Sequence, residues 1–353
     1  MRISIRELVL VGALGTAAFV ADRRTGARPE RPAPSDERFV ILVVADGMRW
    51  QEVFRGADSA LVHGGRRALD GDAEAVRRRW WRGSSAERRR ALMPFVWGTM
   101  AREGTLLGDR DAGSVVRVTN PMWFSYPGYN ELLTGRPDPR IDRNDYGPNP
   151  NVTVFEWLNG REGFRGRVVA VGGWGAFADI FNVERSGIPH HAARRDPIDA
   201  SSHAAAVRVL AERRPRALFV AYVETDDWAH QGRYDRTLDA VHAVDGYLAE
   251  LWAAAQTDPR TRGRTTLVLT ADHGRGRTAR DWTDHARRVP GSDEIFVLAI
   301  GPGVPASGAV RGGEAVTQSQ VAATVARAVG ENFPGVTGRA APPIRALAGA
   351  RHR

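Results

Sequence analysis

The chain has 353 residues, 42% of them hydrophobic and 26% charged, so it can bury a sizeable core and is not disordered over most of its length. It contains no cysteine, which excludes disulfides, thiolate metal sites and cysteine nucleophiles. Its formal charge of +9 comes from arginine without any lysine, a pattern typical of a GC-rich genome, so the charge alone does not predict a nucleic-acid partner.

The N-terminus has the pattern of an export signal. Arg2 and Arg6 precede an apolar run at residues 8–21, and small residues at 16–18 suit a cleavage point. The run is shorter than the ~20 apolar residues of a membrane span, and the alternatives are an uncleaved anchor or a buried helix. We therefore predict a signal peptide at residues 1–21, a linker at 22–38 and export to the periplasm or the exterior, with membrane contact only through an uncleaved N-terminal segment.

From Phe39 onward, apolar runs rich in β-branched residues alternate with stretches of helical spacing. Such runs suit strands that are buried on both faces. The alternation predicts an α/β fold, with a mostly parallel central sheet flanked by helices, in a single domain at residues 39–340 followed by a tail at 341–353. The predicted strands are residues 39–45, 168–172, 217–223, 265–270 and 294–300.

Residues 56–113 interrupt this alternation with a segment rich in arginine and tryptophan. One interpretation is a basic, aromatic surface for anionic polymers. The other is a helical insertion whose arginines are solvated or stack on tryptophans, and we favour it because charge runs usually mark a solvent-exposed face.

Carboxylates and imidazoles stand where several predicted strands end, or just before the last one. Each alone is typical of a turn or a helix cap, but their conjunction favours a metal centre at one edge of the sheet. Carboxylate oxygen with neutral imidazole suits Zn²⁺ or a similar first-row ion. These residues are Asp46, Asp226, His230, Asp272, His273 and His285.

A candidate nucleophile lies between the first two predicted strands. Residues 120–135 have the pattern of a turn that opens a helix, with Ser125 near the helix start. Free backbone N–H groups at such a start favour an anion such as phosphate. Coordination to a dication lowers the pKa of a serine hydroxyl, so that no histidine base is required. The alternative is that Ser125 is a plain helix cap.

Together these motifs resemble the alkaline-phosphatase superfamily, and within it the nucleotide pyrophosphatase/phosphodiesterase and cofactor-independent phosphoglycerate mutase branches. The resemblance runs from Phe39 to about Gly330. It is carried by Asp46 after a strand, Ser-x-Pro at 125–127 with Thr-Gly nine and ten residues after the serine, Asp-x-x-x-His-x-Gly at 226–232, Asp-His-Gly at 272–274, His285, and Gly-Pro-Gly at 301–303.

The resemblance implies two divalent metal ions, most simply Zn²⁺ with Mn²⁺ as the alternative, about 3.5–4 Å apart. It also implies in-line attack by Ser125 on phosphorus and a covalent phosphoserine that water then hydrolyses. Relatives place an asparagine after the nucleophile to hold a non-bridging oxygen; Asn144 is the nearest match and Asn130 its rival. By carry-over, one ion has the ligands Asp46, Ser125, Asp272 and His273, and the other has Asp226, His230 and His285.

Two departures from the superfamily narrow the function. Tyr129 stands where sulfatases carry arginine, so maturation to formylglycine is not expected, and residues 134–217 are too few to hold the large inserted domain of the mutases. The sequence predicts an exported two-metal hydrolase of small phosphate esters, with monoesters and diesters both open and the oligomeric state undetermined. The alternatives are a sulfate-ester hydrolase, or a catalytically weak relative that binds anionic polymers through residues 56–113.

Overall fold

The computed structural model describes residues 37–64, 71–193 and 196–348. The strands are β1 (Phe39–Ala45), β2 (Thr105–Leu107), β3 (Val116–Arg117), β4 (Val168–Gly172), β5 (His190–Ala192), β6 (Ala217–Tyr222), β7 (Thr265–Thr270), β8 (Glu294–Ile295), β9 (Val297–Ile300), β10 (Gly308–Ala309) and β11 (Val316–Thr317). Within the described ranges, eight strands form a central sheet in the order β10-β2-β9-β7-β1-β6-β4-β5, and β11-β3-β8 form a second, small sheet.

The central sheet is mostly parallel, as predicted. β1 lies between β6 and β7 and runs parallel to both, and β4 runs parallel to β5 and β6. β9 runs antiparallel to β7 and β2. All residues of β1, β6 and β7 are buried, which explains why their sequences are continuously apolar rather than alternating.

Helices cover both faces of this sheet. The α-helices in the described residues are α1 (Trp50–Arg55), α2 (Ser59–His63), α3 (Ala73–Trp80), α4 (Ser85–Leu92), α5 (Ala101–Glu103), α6 (Ser125–Thr134), α7 (Val154–Asn159), α8 (Phe177–Ile180), α9 (Val183–Ser186), α10 (Ile198–Arg213), α11 (Glu224–His230), α12 (Tyr234–Thr257) and α13 (Gln320–Ala328). α10 and α12 pack on each other and on β6 and β7, whereas α13 packs on α6, α7 and β1. Since β1 is buried on both sides, these two groups form the layers of a three-layer α/β fold.

Two predicted strands differ from the observed ones. The prediction at 217–223 is one residue too long, because Val223 is already the cap of α11. The prediction at 294–300 is wrong as a single strand: residues 294–295 pair with β3 in the small sheet, and residues 297–300 pair with β7 and β2. The break falls at Phe296, whose carbonyl oxygen accepts a hydrogen bond from Thr270 Oγ1 at 2.6 Å instead of continuing one ladder.

The insertion predicted at 56–113 is only partly peripheral. It forms α2, α3 and α4, but it also contains β2, a strand of the central sheet. Its arginines stack on tryptophans, with the guanidinium of Arg88 4.3 Å from the ring of Trp81 and that of Arg89 3.6 Å from Trp97. This packing favours a helical insertion over a free basic surface.

The C-terminal boundary of the predicted domain lies further along the chain than predicted. Ile344 and Leu347 are buried, so the packed chain extends beyond the boundary at residue 340 to at least residue 347. The predicted signal peptide at 1–21 and nearly all of the linker at 22–38 lie outside the described residues, as does the end of the tail. In the part of the chain that is described, no helix is both long and apolar enough to span a membrane.

Candidate metal centre

The sheet topology brings three polar segments to one edge. β6 and β7 flank β1 in parallel, with Ala45 opposite Tyr222 and Val44 opposite Thr270. The chain therefore leaves all three strands at the same side of the sheet, where ligand-binding groups gather in open α/β folds. Asp46, helix α11 and residues 271–273 follow directly.

The first cluster consists of Asp46, Asp272 and His273, whose ligand atoms all lie within 4.8 Å of one another. His273 Nε2 is 3.4 Å from Asp46 Oδ1 and 3.5 Å from Asp272 Oδ2. These two carboxylate oxygens are buried and have no hydrogen-bond partner among the described residues. Buried carboxylate oxygens without donors are costly unless a cation balances them, so this donor set fits a metal ion.

The second cluster adjoins the first through His273. Asp226, His273 and His285 also hold ligand atoms within 4.8 Å of one another. His230 Nε2 lies 3.1 Å from Asp226 Oδ2 and 2.9 Å from His285 Nε2. The spacing of four between Asp226 and His230 places both on one side of α11, as the sequence predicts. The structure thus brings together all six predicted carboxylates and imidazoles.

Backbone carbonyls fix the orientation of two imidazoles. His273 Nδ1 donates to the carbonyl oxygen of Gly274 at 2.9 Å, and His285 Nδ1 is 3.4 Å from that of Trp123. When the ring is neutral with the proton on Nδ1, the lone pair lies on Nε2, the nitrogen that faces the carboxylates. Trp123 holds a left-handed φ of 55°, and this conformation presents its carbonyl to His285.

The electrostatics of the site call for positive charge. Burial raises the pKa of Asp46 and of Asp272, and neighbouring carboxylates raise both further. Burial alone lowers the pKa of His273, but Asp272, Asp46 and Asp226 outweigh it and raise that pKa to about 9. Burial and the charge on His273 lower the pKa of His285 to about 2, so His285 is a neutral imidazole suited to a cation.

Ser125 begins α6 and lies beside the first cluster. Its Oγ is 3.4 Å from His273 Nε2, and the residue is 7% exposed. Asn144 lies next to it, since its Oδ1 accepts a hydrogen bond from Tyr126 N at 3.0 Å. The rival Asn130 is fully buried and its side chain bonds elsewhere: its Oδ1 accepts from Asn151 Nδ2 at 3.1 Å, and none of its hydrogen bonds among the described residues reaches Ser125 or either cluster.

Two glycines let the backbone close around the ligands. A Cβ on Gly128, in α6, would lie 2.4 Å from the carbonyl oxygen of Asp272. Gly47 has a φ of +57°, and a Cβ there would lie 2.3 Å from Asp226 Oδ1. Larger residues at these positions would push α6 and α11 away from the two clusters.

The sequence did not reveal the residues that anchor the ligands. Tyr129 OH donates to Asp46 Oδ2 at 3.1 Å, Gly47 N donates to Asp272 Oδ1 at 3.0 Å, and the guanidinium of Arg275 pairs with Asp226 Oδ1. Burial raises the pKa of Asp226, but the charge of Arg275 and the nearby histidines outweigh it, so the net shift is downward. Of these three anchors, only Arg275 could have been noticed in the sequence, because it directly follows the Asp-His-Gly motif.

The loop before Ser125 has its own anchor, the buried carboxylate of Glu131. It accepts hydrogen bonds from Asn120 N at 2.6 Å and from Thr119 Oγ1 at 2.6 Å, as well as from Ser319 Oγ at 2.7 Å. Asn120 Oδ1 in turn accepts from Trp123 N at 3.1 Å. The start of α6 is therefore fixed by packing inside the protein.

The fold and the site together define a member of the alkaline-phosphatase superfamily, which confirms the resemblance found in the sequence. The chain belongs to the family described as type I phosphodiesterase / nucleotide pyrophosphatase, whose model matches residues 51–334. It is also 33% identical, over 111 residues, to the 2,3-bisphosphoglycerate-independent phosphoglycerate mutase of Acaryochloris marina. That match covers 29% of this chain and only 19% of the mutase.

Solved structures with the same fold include phosphatases and sulfatases. A variant of the alkaline phosphatase PafA superposes with a TM-score of 0.57 at 11% identity, covering 89% of this chain and 99% of that one. The lipoteichoic acid synthase LtaP from Listeria monocytogenes gives 0.56 at 12% identity, covering 90% and 76%. The PsFucS1 sulfatase from Pseudoalteromonas sp. gives 0.55 at 12%, covering 89% and 72%. At such identities these likenesses establish the fold.

We predict that Zn²⁺ or Mn²⁺ stabilises the metal-depleted protein. An ion that binds only the folded state at 100 times its dissociation constant adds about 2.7 kcal/mol per site, and thermal unfolding with and without added ion measures the gain. Asp272→Asn should lose much of this gain. Asp138→Asn, which alters a buried aspartate paired with Arg140, should lower the melting temperature but keep the gain from the ion. An unchanged melting curve for the native chain would contradict a metal centre.

Proposed function

We propose that the chain is a metal-dependent hydrolase of phosphate esters in which Ser125 is the nucleophile. The observation that carries this proposal is the position of Ser125 Oγ at the start of α6, 3.4 Å from His273 Nε2 and beside carboxylate oxygens that lack partners. A helix start can supply backbone N–H groups to an anion. In the first three residues of α6 that donor is Ser125 N, because Tyr126 N donates to Asn144 Oδ1 and Pro127 has no N–H.

The donor set supports two ions. Asp46, Ser125, Asp272 and His273 would hold the first, and Asp226, His230 and His285 would hold the second. Oxygen and imidazole nitrogen without sulfur suit Zn²⁺, with Mn²⁺ as the alternative. When bound, such ions neutralise charge on the phosphoryl group and lower the pKa of a hydroxyl or of water.

The residues of the chain then account for a two-step displacement. Ser125 Oγ gives up its proton and forms a bond to phosphorus, while the bond from phosphorus to the alcohol oxygen breaks and that oxygen takes a proton. Water next forms a bond to phosphorus, and the bond to Ser125 Oγ breaks, which restores the serine. Positioning and charge stabilisation dominate such phosphoryl transfers.

Asn144 is proposed to hold a non-bridging oxygen of the substrate. Its carbonyl oxygen is already engaged by Tyr126 N, so its amide N–H groups are the part that can donate. The residue is exposed, unlike Asn130, and is therefore accessible to substrate.

We propose diesters as the preferred substrates. The family to which the chain belongs is described as a phosphodiesterase family, and the chain has no lysine to hold the extra charge of a monoester. Sulfate esters are disfavoured because Tyr129, which stands where sulfatases carry arginine, is buried and hydrogen-bonded to Asp46.

Replacing the nucleophile tests this function. Ser125→Ala should lower turnover of bis(4-nitrophenyl) phosphate by at least about 10³-fold, since removal of a catalytic nucleophile costs this much or more. Ser202→Ala is the matched control and should keep native turnover, because this serine in α10 is fully buried and its Oγ has no partner in the described part of the chain. The native enzyme should hydrolyse the diester faster than 4-nitrophenyl phosphate or sulfate. Native rates in Ser125→Ala would overturn the proposal.

The two asparagines should respond differently to alanine. Asn144→Ala is expected to reduce kcat/KM for the diester by about 10²-fold, the usual cost of losing one donor to a charged oxygen, with little change in melting temperature. Asn130→Ala should instead lower the melting temperature, because it removes a buried acceptor from Asn151. Steady-state kinetics and thermal unfolding of both variants make the comparison. Equal activity of Asn144→Ala and the native chain would remove Asn144 from the site.

We also propose that the protein is exported, on the basis of Arg2, Arg6 and the apolar run at residues 8–21. The expected result is a mature protein in the periplasm or the medium whose first residue follows the apolar run. N-terminal sequencing of protein from the producing cells measures this. A protein that keeps Met1 and stays in the cytoplasm would contradict export.

A further inference from the structure

Arg275 is a buried arginine beside the second cluster, two residues after His273. It is 2% exposed, and its guanidinium contacts three acceptors. Nη1 pairs with Asp226 Oδ1, Nε donates to the carbonyl oxygen of Trp282 at 3.0 Å, and Nη2 donates to that of Thr283. None of these contacts involves Ser125, so Arg275 does not touch the nucleophile.

The three acceptors belong to two segments that must meet for the second ion. Asp226 lies on α11 together with His230, whereas Trp282 and Thr283 lie in the loop that leads to His285. The backbone hydrogen bonds of this loop connect residues close to one another in the chain, for example Gly276 N with the carbonyl oxygen of Asp284 at 3.0 Å. The guanidinium therefore joins the loop to α11 directly.

We propose that Arg275 is a positioning residue for the second ion, holding Asp226 and the loop before His285 in the arrangement that the ion requires. This inference rests on the proposed function. A planar guanidinium donates to several acceptors in a fixed geometry, which the ammonium group of lysine cannot reproduce. Arg275 pairs with Asp226 Oδ1, the oxygen that lies 3.8 Å from His285 Nε2, and Asp226 Oδ2 lies 3.1 Å from His230 Nε2.

If Arg275 acted mainly through its charge, its replacement would strengthen binding of the second ion instead of weakening it. The positive charge of Arg275 repels a nearby dication, so the residue would weaken ion binding if charge were its main effect. Geometry favours positioning, because the guanidinium is held by two backbone carbonyls. Partners of metal ligands commonly contribute 10–100-fold to metal affinity.

Metal titration of the full chain distinguishes these roles. The metal-depleted native chain, Arg275→Lys and Arg275→Met are titrated with Zn²⁺ against a competing chelator and with Co²⁺, whose visible absorption reports its ligands. The native chain should bind two ions. Both variants should keep the first ion, and their affinity for the second should fall about 10–100-fold, with altered Co²⁺ bands for that ion only.

Arg277→Met is the matched control. Arg277 lies two residues further on and also pairs with a carboxylate, that of Glu294, which is not in either cluster. This variant should bind both ions as the native chain does. Thermal unfolding of the metal-free variants separates the local effect from general destabilisation, because a folding defect would weaken both ions rather than one.

Three results would overturn the inference. They are native or tighter binding of the second ion by Arg275→Met, equal loss of both ions in Arg275→Lys, and the same selective loss in Arg277→Met. If the native chain binds two ions and the Arg275 variants match it, only this inference fails. If the native chain binds no ion, the proposed function fails and the role of Arg275 fails with it.

Discussion

Three carboxylates held together at one edge of a parallel sheet are the constraint on which the rest of this structure depends. Asp46, Asp226 and Asp272 are brought within reach of one another because β6 and β7 flank β1 in the same direction. Burying several carboxylates in one place is unfavourable unless cations and hydrogen-bond donors compensate. This unfavourable burial occurs at the edge where α/β sheets bind ligands. Its location is the strongest argument for a metal centre at these carboxylates.

The compensation follows one rule at all three carboxylates. A protein donor takes one oxygen of each: Tyr129 OH for Asp46, Gly47 N for Asp272 and Arg275 for Asp226. The other oxygens of Asp46 and Asp272, Oδ1 and Oδ2 respectively, face His273 Nε2, and Asp226 Oδ2 faces His230 Nε2. At Asp226 the anchored Oδ1 also faces imidazoles, at 4.0 Å from His273 Nε2 and 3.8 Å from His285 Nε2. Anchoring one oxygen fixes the orientation of the other, which is how outer partners tune metal ligands. Arg275 differs from the other two donors because it also holds the loop before His285.

The sequence predicted this architecture where the physical signal is local. Continuous apolar runs revealed β1, β4 and β7 because burial on both faces removes any alternation. Strands β2, β5 and β10 are too short to show a hydrophobic pattern. The change from the small sheet to the central sheet at Phe296 is not visible in the sequence either, because residues 295–300 form one apolar run. The types of the candidate ligands and their order along the chain predicted the clusters. The residues that anchor these ligands could not be predicted, because pairs such as Asp226 and Arg275 are far apart in the chain. The choice between Asn130 and Asn144 likewise needed the structure, since burial and hydrogen-bond partners separate them.

Trp123, a residue with a left-handed backbone, links Ser125 to His285. Trp123, with its φ of 55°, stands two residues before Ser125 and offers its carbonyl oxygen to His285 Nδ1. Asn120 holds Trp123 N, and Glu131 holds Asn120, so this geometry is set by buried hydrogen bonds before any ligand binds. The direction of His285 Nε2 and the position of Ser125 Oγ are thus fixed by one loop. Such preorganisation suits a reaction in which attack at phosphorus and stabilisation of the leaving oxygen must be aligned on opposite sides of the same group.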